Sequence, residues 1–206
     1  MSLKLLTSVL LALGIASSPA LACKGPQALL SDDFKGEMDP AWEVVFGEFN
    51  VSEGKLQVKT DVGKVGLMEY QGDFFPGADV CVDIVAPSTK DAPSIFAGIA
   101  FSTPKGNYYV GIRPDGSAGV LRYFKGWLKP VPVRKFDAVK TAVGATNSLR
   151  VVWKAGDTSV QTFVNDRPFI TFKTLEANDN RKIGIYAETE GNTLTYSNFK
   201  VTSPPK

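Results

Sequence analysis

Histidine is absent from all 206 residues. That one absence excludes Ser-His-Asp and Cys-His catalysis, ordinary zinc sites and imidazole general bases together. Cysteine is nearly absent too: Cys23 and Cys81 stand alone, with no Cys-x-x-Cys spacing for a redox centre. Charge of one sign is not in excess, since 23 basic residues face 21 acidic ones. Lys and Arg are also scattered, whereas a nucleic-acid partner demands a concentrated basic face, so none is expected. Beyond residue 22 no apolar run approaches the ~20 residues of a membrane-spanning helix, so no transmembrane segment is expected. No stretch keeps a helical period over three turns. Phosphate-cradling loops are missing as well, because Gly63-Lys64-Val65-Gly66 has the wrong spacing and no helix after it.

What is present begins with an address. Lys4 supplies a positive start, Leu5–Ile15 an apolar run, and Ala20-Leu21-Ala22 a small-x-small cleavage site. Residues 1–22 are therefore expected to be a signal peptide, and 23–206 a single exported domain, periplasmic or extracellular. Cys23 would then stand at the new N-terminus. A lipid anchor through Cys23 is the lesser alternative, because Ala20 occupies the place where a lipobox wants a bulky aliphatic residue. In an exported protein an even pair of cysteines reads as one disulfide, Cys23–Cys81. A buried Cys81 with a free Cys23 is the other reading.

The rest of the chain alternates at a period of two. Val44–Val51 and Lys55–Thr60 predict a hairpin around Glu53-Gly54, Val65–Tyr70 a short strand, and Ala78–Ala86 a long one with Val80, Val82 and Ile84 on one face. Tyr108, Val110 and Ile112 alternate with Asn107, Tyr109 and Arg113 before Asp115-Gly116, a two-residue turn signal. Closing the hairpin there sets Tyr109 opposite Arg122 and Val110 opposite Leu121. The core face would then hold Tyr108, Val110, Ile112, Leu121 and Tyr123, and the other face Tyr109, Arg113, Arg122 and Phe124. Trp127–Thr146 reads as a crossing segment. Thr158–Val164 and Arg167–Lys173 form a second hairpin around Asn165-Asp166, and Ile183–Glu188 and Thr193–Val201 close the chain. Many short strands with turns every ~8–12 residues predict an all-β fold, an antiparallel sandwich or barrel.

Several of these stretches are similar, taken together, to one superfamily. They include Asp32-Asp33-Phe34, Ala97-Gly98-Ile99-Ala100-Phe101, Asn107-Tyr108-Tyr109, Val164-Asn165-Asp166 and Tyr196-Ser197-Asn198-Phe199. The chain resembles the concanavalin A-like lectin/glucanase superfamily, in its laminin G-like and keto-disaccharide hydrolase-like branch. The resemblance implies an antiparallel two-sheet jelly roll. That architecture hosts lectins, glycosidases and adhesion modules alike, so it does not choose among them.

The residues weigh toward binding. Retaining glycosidases need two carboxylates about 5–5.5 Å apart, which the glucanase branch supplies as Glu-x-Asp-x-x-Glu. Here Glu188-Thr189-Glu190-Gly191-Asn192-Thr193 lacks the final carboxylate, leaving Glu188 and Glu190 as weak catalytic candidates. Tyr109, Arg113 and Arg122, joined by Tyr186 and with Trp127 at the rim, form the candidate saccharide platform: rings stack on sugar faces and guanidinium groups serve hydroxyls. Cross-strand surface pairing explains the Tyr109–Arg122 pair equally well. Trp127 also reads as a hydrophobic plug, and Trp42 and Trp153 as core. Asp32 and Asp33 are candidate calcium ligands, although an acidic turn before Phe34 accounts for them too. The expected function is a non-catalytic carbohydrate-binding or cell-surface interaction module. A keto-disaccharide hydrolase-like enzyme and a structural envelope protein are the alternatives, and the oligomeric state is unassigned.

Overall fold

The computed structural model describes residues 23–85, 94–126, 131–177 and 181–206, with backbone alone at 131–132. No described residue is helical, and none therefore forms a helix able to cross a membrane. The strands are β1 (Ala28–Asp32), β2 (Trp42–Phe46), β3 (Glu48–Ser52), β4 (Lys55–Lys59), β5 (Gly66–Tyr70), β6 (Ala78–Val85), β7 (Phe96–Thr103) and β8 (Gly106–Ile112). They continue as β9 (Ser117–Tyr123), β10 (Val131–Lys135), β11 (Thr146–Trp153), β12 (Ser159–Val164), β13 (Arg167–Lys173), β14 (Ile183–Glu188) and β15 (Thr193–Thr202).

Two antiparallel sheets result. The eight-stranded sheet runs β13-β12-β11-β6-β15-β4-β3, with β1 also paired to β15, and the seven-stranded sheet runs β10-β9-β8-β7-β14-β5-β2. The core lies between them, because each long strand turns one alternate set of apolar side chains inward. Val80, Val82 and Ile84 of β6 meet Ile99 and Phe101 of β7, Tyr108 and Val110 of β8, and Ile183 and Ile185 of β14 in this layer. Phe101 stacks on Tyr108 at 5.1 Å and on Trp153 at 5.4 Å between ring centroids. Trp42 and Trp153 are both buried, as their periodicity predicts.

Four local expectations need correction. The hairpin after β8 does not close on Asp115-Gly116 alone. Arg113 N–H donates to the Ser117 carbonyl at 2.8 Å, Gly116 N–H to the Arg113 carbonyl at 3.1 Å, and Gly116 takes φ +87°. Pro114 favours the first central position of an ordinary turn, so a three-residue loop ending in a left-handed glycine forms instead. The register slips by one, placing Tyr109 opposite Leu121, Tyr108 opposite Arg122 and Val110 opposite Val120. A one-residue slip exchanges faces: Ala118 and Val120 enter the core, and Leu121 and Tyr123 leave it.

The expected strand Val44–Val51 is two strands in different sheets. Gly47 breaks it with φ +85°, where a Cβ would sit 2.9 Å from the Gly66 Cα, so only glycine turns this corner. β1 forms ahead of Val44, where alternation predicts no strand, and is held against β15 from Ala28–Thr202 to Asp32–Phe199. β10 lies inside the presumed crossing segment. Its Pro132 hid it, since proline is tolerated on the edge strand that β10 proves to be.

Candidate functional site

Register decides which side chains share the outer face of the seven-stranded sheet. Tyr186 lies opposite Leu67 on one side and Gly98 on the other, Gly98 opposite Gly111, and Gly111 opposite Gly119. This leaves a row of three glycines across β7, β8 and β9. Larger neighbours fold over that row: a Cβ at Gly111 would meet the Phe96 ring at 2.5 Å. Leu67, Phe96, Ala100, Tyr109 and Tyr186 thus make a second apolar cluster outside the main core.

Tyr109 and Tyr186 do come together, but on each other. Their rings stack with centroids 4.0 Å apart, Phe96 meets Tyr186 edge-on at 6.2 Å, and Tyr109 and Tyr186 are only 6% and 1% exposed. Neither ring offers an open face for a sugar. Arg122 does not join them, because the register sends it to the opposite side of the sheet beside Tyr108. Trp127 lies outside the described residues.

Arg113 and Glu188 bracket this cluster. Glu188 lies opposite Phe96, and the Arg113 guanidinium carbon sits 5.9 Å from the Phe96 ring centre. The two residues are two strand spacings apart, about 9–10 Å at the backbone. The Tyr186 hydroxyl donates to Glu188 Oε1 at 2.8 Å. Burial raises the Glu188 carboxyl above the ordinary carboxylate range; the Tyr186 bond and the Arg113 charge pull it down, and Glu190 pushes it up. Arg113 Nε is buried with no hydrogen-bond partner among the described residues. A donor and an acceptor therefore flank an aromatic floor without closing an ion pair on each other.

Phe96 and Glu69 escaped the sequence reading. Phe96 begins a strand legible in the sequence only from Ala97 onward, and its outward role depends on Gly111, diagonal to it on β8. Glu69 is outward on β5, with its carboxyl raised by burial and lowered by Lys182. It stands opposite Gly184, four residues along β14 from Glu188. Four residues and one strand spacing place the two acids roughly 14 Å apart at the backbone, beyond either glycosidase geometry. Glu190 does not share a strand with Glu188, since β14 ends at Glu188 and Glu190 takes φ +51° in the following turn.

The metal candidates are engaged elsewhere. Asp32 accepts Phe34 N–H at 2.8 Å and the Trp42 indole N–H at 2.9 Å, and Asp33 accepts Lys35 N–H and pairs with its ammonium. These carboxylates fit the acidic turn better than a calcium site needing six to eight oxygens. Among the described residues one further group, Cys23, Asp79 and Cys81, could gather a metal. The cysteines are joined as a disulfide with Cα atoms 5.6 Å apart, and Asp79 is held by Arg150 at 2.7 and 2.9 Å. That group too is a structural one.

No protein-family model and no curated protein matches the chain. Solved structures do. A carbohydrate-binding module, CBM66, from Bacillus subtilis matches with a TM-score of 0.62 and 14% identity, over 79% of this chain and 96% of that one. A Bacillus subtilis protein of unknown function with a galectin-like fold matches with a TM-score of 0.67 and 10% identity, over 88% and 98%. A laminarinase from Flavobacterium sp. UMI-01 matches with a TM-score of 0.64 and 13% identity, over 86% and 100%. At such identities the likeness concerns the backbone alone, and the fold it shows is the antiparallel two-sheet β-sandwich.

Proposed function

We propose that the chain is an exported, non-catalytic carbohydrate-binding module, entering the periplasm or the extracellular space after loss of residues 1–22. The ligand is a glycan held on the outer face of the seven-stranded sheet. One observation carries this reading: the buried, unpartnered Arg113 Nε stands across the Phe96 ring from the Glu188 carboxyl. A sugar hydroxyl is both donor and acceptor, so vicinal hydroxyls can serve both groups at once. The resemblance in fold to a carbohydrate-binding module and a laminarinase supports it, and the disulfide suits an oxidising compartment. Tyr109 and Tyr186 then act as the floor that positions Arg113 and Glu188, and Trp127 remains the rim residue to test.

A glycan-array screen of the protein beginning at Cys23, with hydrolysis assays on every hit, tests the reading. Hits that weaken on Arg113→Ala support it; an array without hits sinks it. The second reading, an enzyme, is favoured by one feature, the raised Glu188 carboxyl that a general acid requires. The missing partner carboxylate at glycosidase spacing weighs against it.

A further inference from the structure

The buried platform leaves a question of where a sugar ring would find an aromatic face. Phe46, at the end of edge strand β2, is 57% exposed and lines a cleft of about 540 Å³ with Glu48, Lys59, Asp61, Lys64 and Val65. The corner at Gly47 makes this cleft, because it throws β2 and β3 into different sheets and opens the space between them. Its floor is rigid. The Thr60 and Thr189 hydroxyls lie 2.9 Å apart, Thr60 N–H donates to Thr189 Oγ1 at 2.8 Å, and Gly191 N–H donates to the Thr60 carbonyl at 3.0 Å.

The walls are chemically specific. Glu48 and Lys59 stand opposite each other in register, with Asp61 and Lys64 beside them. None of the four enters an ion pair within 4.0 Å among the described residues. Two anions and two cations around one cleft cancel, so the cleft gives no advantage to an acidic or an amino sugar. They supply acceptors and donors for hydroxyls beside a ring that can cover a sugar's apolar face. Val65 lines the cleft and also packs on the cluster of Phe96, Tyr109 and Tyr186, so the two surfaces are continuous. Phe46 is also cross-strand from Leu67, and Leu67 from Tyr186.

We propose that the β2–β3 corner is a second saccharide site, taking uncharged sugar units of a chain that also crosses the Arg113–Glu188 face. The proposal rests on the glycan reading above. Amide NMR spectra of the protein from Cys23 onward, titrated with neutral laminari-, xylo- and fructo-oligosaccharides and with oligogalacturonate, test it. A neutral oligosaccharide is expected to shift the Gly47, Asp61, Lys64 and Val65 amides, with affinity about tenfold lower in Phe46→Ala. Phe46 is exposed, so that variant is expected to fold; Lys64→Ala, at an exposed position, should weaken the same ligand and guards against misfolding. Neutral-sugar shifts confined to the surroundings of Arg113 and Glu188, unaltered by Phe46→Ala, would overturn the second site and leave the first standing. Tighter binding of oligogalacturonate at the corner would overturn the neutral class. No shift with any saccharide would overturn both sites. A dimer in light scattering that Phe46→Ala or Val45→Lys dissolves would make the corner an interface between copies instead.

Discussion

On the eight-stranded sheet the outward positions of β6 are Asp79, Cys81 and Asp83, whereas the outward positions of β7 and β14 on the other sheet include Phe96, Ala100 and Tyr186. The polar face carries the denser hydrogen-bond network of the two, although Thr202 Oγ1, cross-strand from Asp79, is buried there without a partner among the described residues. Asp79 takes both nitrogens of a bidentate Arg150 and the Lys24 N–H, and Arg150 lies over the Phe163 ring at 4.7 Å. Asp83 accepts the Asn198 amide at 2.8 Å. The Cys23–Cys81 bond ties the N-terminal segment over this network. On the apolar face, by contrast, Arg113 Nε has no partner and Glu188 leans on a single tyrosine hydroxyl. A dense polar network is architecture. A guanidinium nitrogen without a partner among the described residues, two strands from a carboxyl with a single tyrosine bond, is where a ligand has something to add.

Breaking the dense network should produce the largest effect. Asp79→Ala strands the Arg150 guanidinium in a buried site, which costs about 3–5 kcal/mol. Cys81→Ser opens a loop spanning 58 residues of sequence separation, worth on the order of 4 kcal/mol in the chain-entropy model. Both losses are read as denaturant midpoints, and saccharide affinity of the surviving folded fraction should be unaltered. A cost under ~1 kcal/mol for Asp79→Ala would mean the pair is solvated in solution, and the contrast between the faces would collapse.

Tyr109→Ala probes the other face at its centre. The ring is buried against Tyr186 and Phe96, so its loss should cost about 3 kcal/mol of stability through the cavity left behind. Binding should weaken only as the floor under Arg113 loosens. Tyr109→Phe keeps the ring and should keep both properties. If Tyr109→Ala leaves the melting temperature unchanged while abolishing binding, the ring is exposed to ligand and the platform expected from alternation alone is restored.

Alternation and turn chemistry were enough for an antiparallel sandwich or barrel and for the inward set of β6; the two sheets were implied by the resemblance, and the disulfide by an even pair of cysteines behind a signal peptide. Turn chemistry failed at Pro114-Asp115-Gly116, where one extra loop residue put Arg122 on the core side and Leu121 on the outer face. No local signal distinguishes a two- from a three-residue loop there except Pro114, whose ring prefers the first central turn position. Phe96 could not be chosen from sequence, because its outward role depends on Gly111, a residue fifteen positions later. Phe46 was hidden for a similar reason: Val44–Val51 reads as one strand until Gly47 is seen to change sheets.

Glu188 gives the smallest and most discriminating test. Its folded-state pKa is raised, with burial as the main cause. An acid raised on folding contributes stability below its unfolded pKa, and that contribution is lost as pH rises through the folded pKa. Glu188→Gln should therefore leave acid stability unaltered and raise the melting temperature slightly at neutral pH. Binding should move the other way in the native protein: if the carboxylate accepts a sugar hydroxyl, affinity rises as pH climbs through the raised pKa and then levels. Glu188→Gln should erase that step and weaken neutral-pH binding by about 0.5–1 kcal/mol, the net worth of one hydrogen bond. Isothermal titration at pH 4 to 8 reads both. An enzyme would behave differently. A general acid loses activity as pH rises through its pKa, and Glu188→Gln would then abolish turnover while leaving binding nearly intact. Hydrolysis of any disaccharide or keto-sugar that falls with rising pH and vanishes in Glu188→Gln would replace the binding module with an enzyme.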